Sequence, residues 1–257
     1  MARQRAPVYD RIGERYGQAR RQDPRIARAI WSALGTAAPV VNVGAGGGSY
    51  EPEDRRVVAV EPSAVMIVQR PPSAAPAIQA VAEQLPFPDK SFGAAMGVLT
   101  VHHWSNRAHG LAELKRVSRG PIVLFTRDPR AVRAWWLHDY FPATARLEAS
   151  RETPIPQLEE LLGCPVDVIK VPIPADCTDG FNAAYWRRPE AYLDPAVWRP
   201  MSAIALILDA DRTEGMRRLE HDLANGDWHR RWGHLLERNE LDLGYRVLIA
   251  RPTAGQA

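Results

Sequence analysis

Residues 40–50 read VVNVGAGGGSY, and this stretch decides the fold. A short apolar run stops at residues 44–48, where four of the five positions are glycine. Glycine loses more conformational freedom on folding than any other residue, so such a cluster indicates a tight turn or a close approach of the backbone to a ligand. The pattern predicts a buried strand, Val40–Val43, followed by a turn that holds a cofactor. No lysine follows the glycines in the spacing of a P-loop, which excludes that nucleotide-binding motif.

Apolar segments that alternate with helical segments continue on the carboxyl side of the turn. Strands buried on both faces are apolar throughout, so the alternation predicts an α/β fold with a mostly parallel, doubly wound sheet covered by helices. The predicted strands are Val57–Val60, Ala77–Val81, Phe92–Leu99 and Ile122–Phe125, and the predicted helices are Ala64–Arg70 and 105–118, the second capped by Ser105.

The regular alternation weakens after residue 127. Two late strands are predicted, Val166–Val171 and Tyr245–Ala250, with a mostly helical segment, 174–243, between them. Before the first strand, residues 8–34 have helical spacing, with Pro24 at a helix start. We expect a single domain over residues 1–257, made of four parts: an N-terminal helical lid (1–34), a cofactor-binding core (38–127), a substrate cap with late strands (128–244), and a final strand with its tail (245–257).

Glu61 follows the second predicted strand directly and lies seventeen residues after Gly44. In a doubly wound sheet both positions face the crevice at the carboxyl ends of the strands. A carboxylate there can accept hydrogen bonds from both ribose hydroxyls of an adenosine, and it would repel the extra phosphate of NADP. NAD and S-adenosylmethionine remain open, although Ser49 is a poor third residue for the NAD pattern G-x-G-x-x-G/A.

Composition and charge limit the kinds of partner expected for this protein. The net charge is +3 and the pI is near 9.0, but the positive charge is nearly all arginine spread along the chain, which predicts no nucleic-acid partner. The apolar segment 203–208 is far too short to span a membrane, and the N-terminus lacks the apolar core of a secretory signal. Cys164 and Cys177 do not have the spacing of a metal site. We therefore expect a cytoplasmic, metal-free protein; the oligomeric state stays open.

Four ordered motifs carry a family resemblance. They are VVNVGAGGGSYEP, VVAVEPSAVM, AEQLPFPDKSFGAAMGVLTVHHW and LAELKRV. Together with the preceding helical segment, over residues 8–127, the chain resembles the class I S-adenosylmethionine-dependent methyltransferases, and most closely the type 11, ubiquinone-biosynthesis-like subgroup that acts on small molecules. The resemblance implies a Rossmann-like, seven-stranded sheet, S-adenosylmethionine as cofactor, and methyl transfer to a small-molecule acceptor by in-line displacement.

The resemblance also implies a set of cofactor-binding positions. Those expected beneath the methionine portion, at the ribose and beside the adenine are Gly44, Ala45, Gly46, Gly48, Glu61, Pro62, Met66, Ala82 and Glu83. Leu99 and Thr100 would lie under the reacting methyl group, and Tyr16 and Arg20 would close over the methionine carboxylate. Three positions depart from the family pattern: Asn42 replaces an acid that would face the cofactor's ammonium group, Gly93 replaces the Asp after Phe92, and 119–121 replaces Pro-Gly-Gly.

The catalytic and substrate-binding predictions rest on side-chain chemistry. His102 and His103 follow the fourth strand and titrate near neutral pH, so either could remove a proton from the acceptor, or both could simply shape the cofactor pocket. Trp135, His138 and Tyr185 are candidates for contact with the acceptor, or else ordinary fillers of a helical cap. Two other functions stay open: a non-catalytic cofactor-binding protein of the same fold, and an NAD-dependent oxidoreductase.

Overall fold

A seven-stranded sheet forms the centre of the protein. The computed structural model describes residue 10 and residues 20–131 and 135–252. The strands, in the order β3-β2-β1-β4-β5-β9-β6, are β1 (Val40–Val43), β2 (Val57–Val60), β3 (Ala77–Ile78), β4 (Ala94–Val98), β5 (Ile122–Arg127), β6 (Val166–Lys170) and β9 (Tyr245–Ala250). A separate pair joins β7 (Ile173–Pro174) to β8 (Glu240–Leu241). The predicted Rossmann-like, doubly wound sheet is confirmed.

The strand order reverses next to the glycine turn. β1 pairs in parallel with β2 on one side and with β4 on the other, while the last long strand, β9, runs antiparallel to both β5 and β6. All four residues of β1 are buried. A ligand of an open α/β sheet binds at such a reversal, outside the carboxyl ends of the strands. The segments that follow β1, β2, β4 and β5 therefore face one crevice.

Helices cover the sheet and form the cap above it. They are α1 (Pro24–Leu34), α2 (Ala64–Val68), α3 (Arg107–Val117), α4 (Trp136–Tyr140), α5 (Pro142–Arg151), α6 (Ile155–Leu162), α7 (Pro195–Trp198), α8 (Ser202–Ala205), α9 (Asp209–Ala224) and α10 (Asp227–Trp232). Helix α1 starts at Pro24, as predicted, because Pro suits the first helical position and the Asp23 side chain accepts a hydrogen bond from the Arg25 amide. Among the described residues no helix has the length and apolar character needed to cross a membrane.

Several element ends differ from the sequence prediction. The cap of α3 is Asn106, not Ser105: the Asn106 side chain accepts a hydrogen bond from the His109 amide. Ser105 Oγ instead donates to Glu83 Oε1 at 2.8 Å. Both residue types cap helices well, so the local sequence could not choose between them. The predicted strand at 77–81 keeps two residues, and the predicted helix at 64–70 ends at Val68.

The cap has an aromatic core of its own. The Trp136 ring meets the rings of Tyr192 and Trp228 edge to face, with centroids 5.3 and 5.5 Å apart. The indole nitrogens of Trp136 and Trp186 donate to backbone carbonyls, so these two rings are buried with their polar atoms satisfied, whereas the buried Trp228 indole nitrogen has no hydrogen-bond partner among the described residues. The predicted helical segment 174–243 is confirmed in part, because it also contains 3₁₀ turns and the strand β8.

Candidate active site

The glycine turn is tied to the neighbouring strand. The amides of Gly44 and Ala45 both donate to the carbonyl of Val60, at 2.8 and 3.0 Å. Gly44, Gly46 and Gly48 have φ values of 71°, 52° and 94°, a region that favours glycine. The backbone therefore favours glycine at these three positions. The turn presents bare main chain to the crevice.

Glu61 joins the end of β2 to the same turn. Its side chain is buried and accepts hydrogen bonds from the Gly46 amide, 2.8 Å away, and from the Ser63 amide, 2.9 Å away. Burial raises the pKa of this carboxyl, and the two amides offset only part of that rise. Each oxygen holds one backbone donor and keeps a further lone pair. The ribose hydroxyls of an adenosine are the kind of donor that these lone pairs can accept.

The departure at Asn42 has a structural explanation. Its Nδ2 donates to Glu51 Oε1 at 3.1 Å, and an acid at this position would place two carboxylates side by side. Glu51 is in turn paired with Arg70, whose Nη1 also donates to the carbonyl of Gly46 at 2.9 Å. The Asn42 Oδ1 atom is buried without a hydrogen-bond partner. A cofactor ammonium group would supply the donor that this oxygen lacks.

The other predicted cofactor positions differ in burial and in hydrogen bonding, and their contact with the cofactor stays a prediction. Met66 and Ala82 are buried, and Glu83 accepts hydrogen bonds from Ser105 and from the Asn106 amide, which ties it to the start of α3. Leu99 has a φ of 50° at the end of β4. A branched side chain held in this region is strained, and such strain concentrates at functional sites. Pro62 lies half-buried, next to Glu61.

Tyr16 lies outside the described residues, whereas Arg20 reaches the crevice. Arg20 Nε donates to Asp179 Oδ1 at 2.7 Å, and Asp179 also accepts a hydrogen bond from the Tyr50 hydroxyl at 2.8 Å. The Arg20 side chain borders the glycine turn at Gly48 and also lines the cavity described next. This position is compatible with contact to both a cofactor and an acceptor. The prediction that it binds the methionine carboxylate stays a prediction.

A cavity, called the acceptor cavity below, lies between the carboxyl ends of β4 and β5 and the cap. Its walls come from the segment after β4, from the end of β5, from α5 and from the cap, and they include Leu99, His102, Arg127, Glu148, Glu152 and Phe181. Leu99 directly follows β4, and β4 pairs with β1, whose carboxyl end leads into the glycine turn. The cavity therefore lies at the same edge of the sheet as that turn.

A buried charged cluster lies in the wall of the acceptor cavity. Arg127 Nη1 donates to Glu148 Oε2 at 2.8 Å and lies 2.9 Å from both oxygens of Glu152. Glu148 also accepts hydrogen bonds from His138 Nε2 at 2.9 Å and from Asn182 Nδ2 at 2.7 Å. Burial tends to raise the pKa of Glu148, but His138 and Arg127 outweigh it, so this pKa lies below its usual range. Burial and the charge of Glu148 raise the pKa of Glu152 to about 7.

The two predicted catalytic histidines pack against each other with their rings tilted by 48°, and His102 lines the cavity. The ring centroids of His102 and His103 are 3.9 Å apart. Removal from bulk water, and the positive charge of Arg151, lower the pKa of His102 to about 4. Burial and the neighbouring His102 lower the pKa of His103 well below its usual value. Both rings are therefore neutral at neutral pH, which leaves them weak proton acceptors.

The three predicted substrate-binding residues have separate surroundings. His138 is hydrogen-bonded to Glu148 and so belongs to the wall of the acceptor cavity through that carboxylate. Trp135 packs against His138, with ring centroids 5.1 Å apart. The guanidinium of Arg188 lies over the ring of Tyr185, with the Arg188 Cζ atom 4.5 Å from the ring centroid. Neither Trp135 nor Tyr185 is among the described residues that line the cavity.

Sequence reasoning missed the cluster of Arg127, Glu148 and Glu152. Two signals were available. Arg127 ends an otherwise apolar strand at the same sheet edge as Glu61, and Glu148 and Glu152 are four residues apart, the spacing of one helix face. Nothing in the local sequence shows that Arg127 and the two glutamates meet, because that contact depends on how the cap folds onto the sheet.

The site fits an adenosine-linked sulfonium cofactor on its own geometry. The left-handed glycines keep side chains off the turn, Glu61 offers free lone pairs to hydroxyl donors, and Asn42 Oδ1 lacks a donor. These three features converge where the strand order reverses.

Comparisons with known proteins agree with this geometry. The family model described as "Methyltransferase domain", of type 11, matches residues 41–123. A structure of a putative methyltransferase from an antibiotic biosynthesis pathway of Anabaena variabilis is 36% identical, with a TM-score of 0.85 over 91% of this chain and 99% of that chain. No curated protein matches the chain.

More distant structures share the fold alone. Geranyl diphosphate C-methyltransferase from Streptomyces coelicolor is 14% identical, with a TM-score of 0.50 over 89% of this chain and 75% of that chain. The [4+2]-cyclase SpnF is 17% identical, with a TM-score of 0.55 over 90% of this chain and 81% of that chain. On the match to the Anabaena variabilis protein and to the family model, the chain belongs to the class I S-adenosylmethionine-dependent methyltransferases of type 11.

Proposed function

We propose that this enzyme transfers the methyl group of S-adenosylmethionine to a small-molecule acceptor bound in the acceptor cavity. One observation carries the proposal: the cavity is lined by Leu99 and His102, which follow β4 at the sheet edge where Glu61 and the glycine turn lie. The fourfold division of the single domain predicted from the sequence is part of this proposal, with the core holding the cofactor and the cap holding the acceptor.

The cofactor would be held by main chain and by one carboxylate. Glu61 would accept the ribose hydroxyls, Asn42 Oδ1 would accept from the ammonium group, and the glycine turn would pass beneath the methionine portion. When bound, S-adenosylmethionine supplies a methyl group on a sulfonium, so the leaving group is already activated. The remaining work of the chain is to place a nucleophile in line with that methyl group and to exclude water.

The walls of the acceptor cavity suit that work. Leu99, Leu147, Phe181 and Met201 give it apolar surface, and the charged cluster gives it a small number of directed polar groups. Cavities that bind small molecules combine these two features. A small, partly apolar acceptor is favoured over a polynucleotide, because the charged groups line an interior cavity and do not form an exposed basic surface.

Replacing Glu61 by alanine tests the cofactor site. We expect affinity for S-adenosylhomocysteine, the demethylated cofactor, to fall by about 1–3 kcal/mol, or roughly 5- to 150-fold, because hydrogen bonds to a charged acceptor are lost. Isothermal titration calorimetry measures the change directly. Glu190→Ala, which removes an exposed carboxylate in the cap, is the matched control and should leave the affinity unchanged.

Turnover tests the reaction itself. Wild-type protein, radiolabelled S-adenosylmethionine and a panel of small phenols, alcohols, amines and carboxylic acids should yield a labelled, extractable product. Binding of the cofactor with no transfer to any member would favour the non-catalytic alternative. Unaltered affinity in the Glu61→Ala variant would show that the carboxylate does not hold the ribose.

A further inference from the structure

The two carboxylates of the acceptor cavity have different surroundings. Glu148 receives three hydrogen bonds, from Arg127, His138 and Asn182. The only hydrogen-bond donor that the described residues offer to the Glu152 carboxylate is Arg127 Nη1, which Glu152 shares with Glu148. Glu148 thus has three of its roughly four acceptor sites occupied, whereas Glu152 has a single shared donor and keeps more lone pairs for a further one. Two neighbouring carboxyl groups whose surroundings separate their proton affinities are typical of an acid–base site.

Glu152 is placed to meet an acceptor. It directly follows α5, which ends at Arg151, and its amide donates to the carbonyl of Glu148, so the backbone fixes its position. Its side chain is 12% exposed, and the exposed part lies in the wall of the acceptor cavity. The same cavity reaches Leu99 and His102 at the end of β4. An acceptor atom bound between them would touch the carboxylate on one side and approach the cofactor crevice on the other.

The charges around the cavity favour one chemical class of methyl acceptor over another. Arg20, Arg127 and Arg151 line the cavity. Burial, together with the positive charges of Arg151, Arg107 and Arg20, lowers the pKa of His102 and holds the ring neutral, against the opposing charge of Glu148. The field that disfavours a protonated imidazole also disfavours an ammonium group. The same field favours oxygen that gains negative charge. A neutral hydroxyl is therefore a better acceptor here than an amine.

We propose that Glu152 is the general base of the reaction and that the acceptor is a hydroxyl compound, which is converted to a methyl ether. This inference rests on the proposed function. The hydroxyl oxygen forms a bond to the methyl carbon while the carbon–sulfur bond of the sulfonium breaks, and the hydroxyl proton passes to a Glu152 carboxylate oxygen. The negative charge of the carboxylate and the positive charge of the sulfonium disappear together. Arg127 and Glu148 are positioning residues, because they hold the carboxylate in place.

Proton affinity supports this assignment. The pKa of Glu152 is raised to about 7, by burial and by the charge of Glu148, whereas the pKa of His102 is lowered to about 4. A general base works best when its pKa lies near the working pH. Glu152 is ionised above its pKa, so the rate should rise as pH increases through about 7 and then level off. A histidine base would place the rise near 4.

Several charged and titratable groups face Glu152 and can influence the pH dependence of the rate. Arg127 and Asp128 approach from the end of β5, and Arg127 and Glu148 are its nearest charged partners. The remaining charged or titratable groups around the cavity are His102 after β4, His138 on α4, Arg151 on α5, Tyr245 on β9, and Arg20. Loss of the rise in a Glu152 variant is therefore the observation that connects it with this carboxyl.

The experiment compares wild type with Glu152→Gln, using radiolabelled S-adenosylmethionine and a panel of phenols, primary alcohols and the matching amines. Glutamine still accepts from Arg127 but cannot take a proton. We expect methyl incorporation into hydroxyl compounds only, and a kcat about 100-fold or more lower in Glu152→Gln, with affinity for S-adenosylhomocysteine unchanged. The variant should also lose the rise near pH 7. Glu160→Gln, on the exposed side of α6, is the matched control and should behave as wild type.

A second measurement does not depend on turnover. With ¹³C-labelled glutamate side chains and S-adenosylhomocysteine present, NMR should show one carboxyl carbon that titrates near pH 7 in wild type and is missing in Glu152→Gln. The inference is overturned if no carboxyl titrates above about pH 6, if amines are the acceptors, or if Glu152→Gln retains near wild-type kcat. A wild-type protein that does not bind S-adenosylhomocysteine would instead overturn the proposed function.

Discussion

The Gly44→Ala variant is expected to lose affinity for S-adenosylhomocysteine by about 100-fold or more. Gly44 has a φ of 71°, and a Cβ built there would lie 1.8 Å from Thr100 Oγ1 and 2.7 Å from Thr100 Cβ. An alanine in this region costs about 1–2 kcal/mol, and overpacking adds about 1–3 kcal/mol. The protein can relieve that strain by moving the turn away from β4, which removes the geometry that binds the cofactor. About 3 kcal/mol corresponds to about 100-fold in affinity.

Two further variants separate the clash from the backbone strain. In Gly44→Ala/Thr100→Gly the three nearest clashing atoms, all in the Thr100 side chain, are gone, so affinity should recover in part. Gly233→Ala is the control, because its added Cβ meets nothing within 4 Å and its φ is −55°. Calorimetric titration measures all three. A Gly44→Ala variant with wild-type affinity would show that the turn is not in close contact with its surroundings.

The cofactor half of the site was largely predictable from the sequence because its signals are local. Strands β1, β2 and β9 have the predicted bounds, since each is a short, mostly apolar run that is almost entirely buried and ends at a change of residue type. The contact between Glu61 and the Gly46 amide follows from strand order, because the ends of neighbouring parallel strands meet at one edge. The direction of β9 was not predictable, since a strand that is apolar on both faces looks the same in either orientation.

The acceptor half was not predictable because its contacts are long-range. Arg127 reaches Glu148 and Glu152 across 21 and 25 residues, and Asn182 reaches Glu148 across 34. None of these pairs has a spacing that marks it in one sequence. His102 and His103 were suggested as bases because free imidazole titrates near neutral pH, but burial and nearby arginines lower their pKa values in the folded chain. Proton affinity in this cavity is a property of the assembled fold.

Replacing Arg70 by methionine is expected to give the largest loss of stability. Arg70 and Glu51 are 5% and 6% exposed, and Arg70 Nη2 lies 2.8 Å from both Glu51 oxygens. Removing one partner of a buried ion pair leaves the other charge unpaired, which costs about 3–5 kcal/mol. For a domain of this size the melting temperature should fall by about 10 °C. Differential scanning calorimetry measures the change.

The exposed pair Arg217–Glu214 provides the control. These side chains are 65% and 54% exposed, so Arg217→Met should leave the melting temperature nearly unchanged. The double variant Glu51→Gln/Arg70→Met should recover part of the loss, because no buried charge is then left alone. An Arg70→Met variant as stable as Arg217→Met would show that Glu51 is solvated or protonated.

Arg70 also connects stability to cofactor binding. Its Nη1 donates to the carbonyl of Gly46, while the Gly46 amide donates to Glu61, so the ion pair and the ribose carboxylate hold the same peptide units of the turn. Arg70→Met should therefore weaken binding of S-adenosylhomocysteine even at temperatures at which the variant is folded. The double variant Glu51→Gln/Arg70→Met should recover more of the stability than of the affinity, because methionine cannot restore the hydrogen bond to the Gly46 carbonyl. A double variant with full affinity would mean that the turn keeps its shape without Arg70.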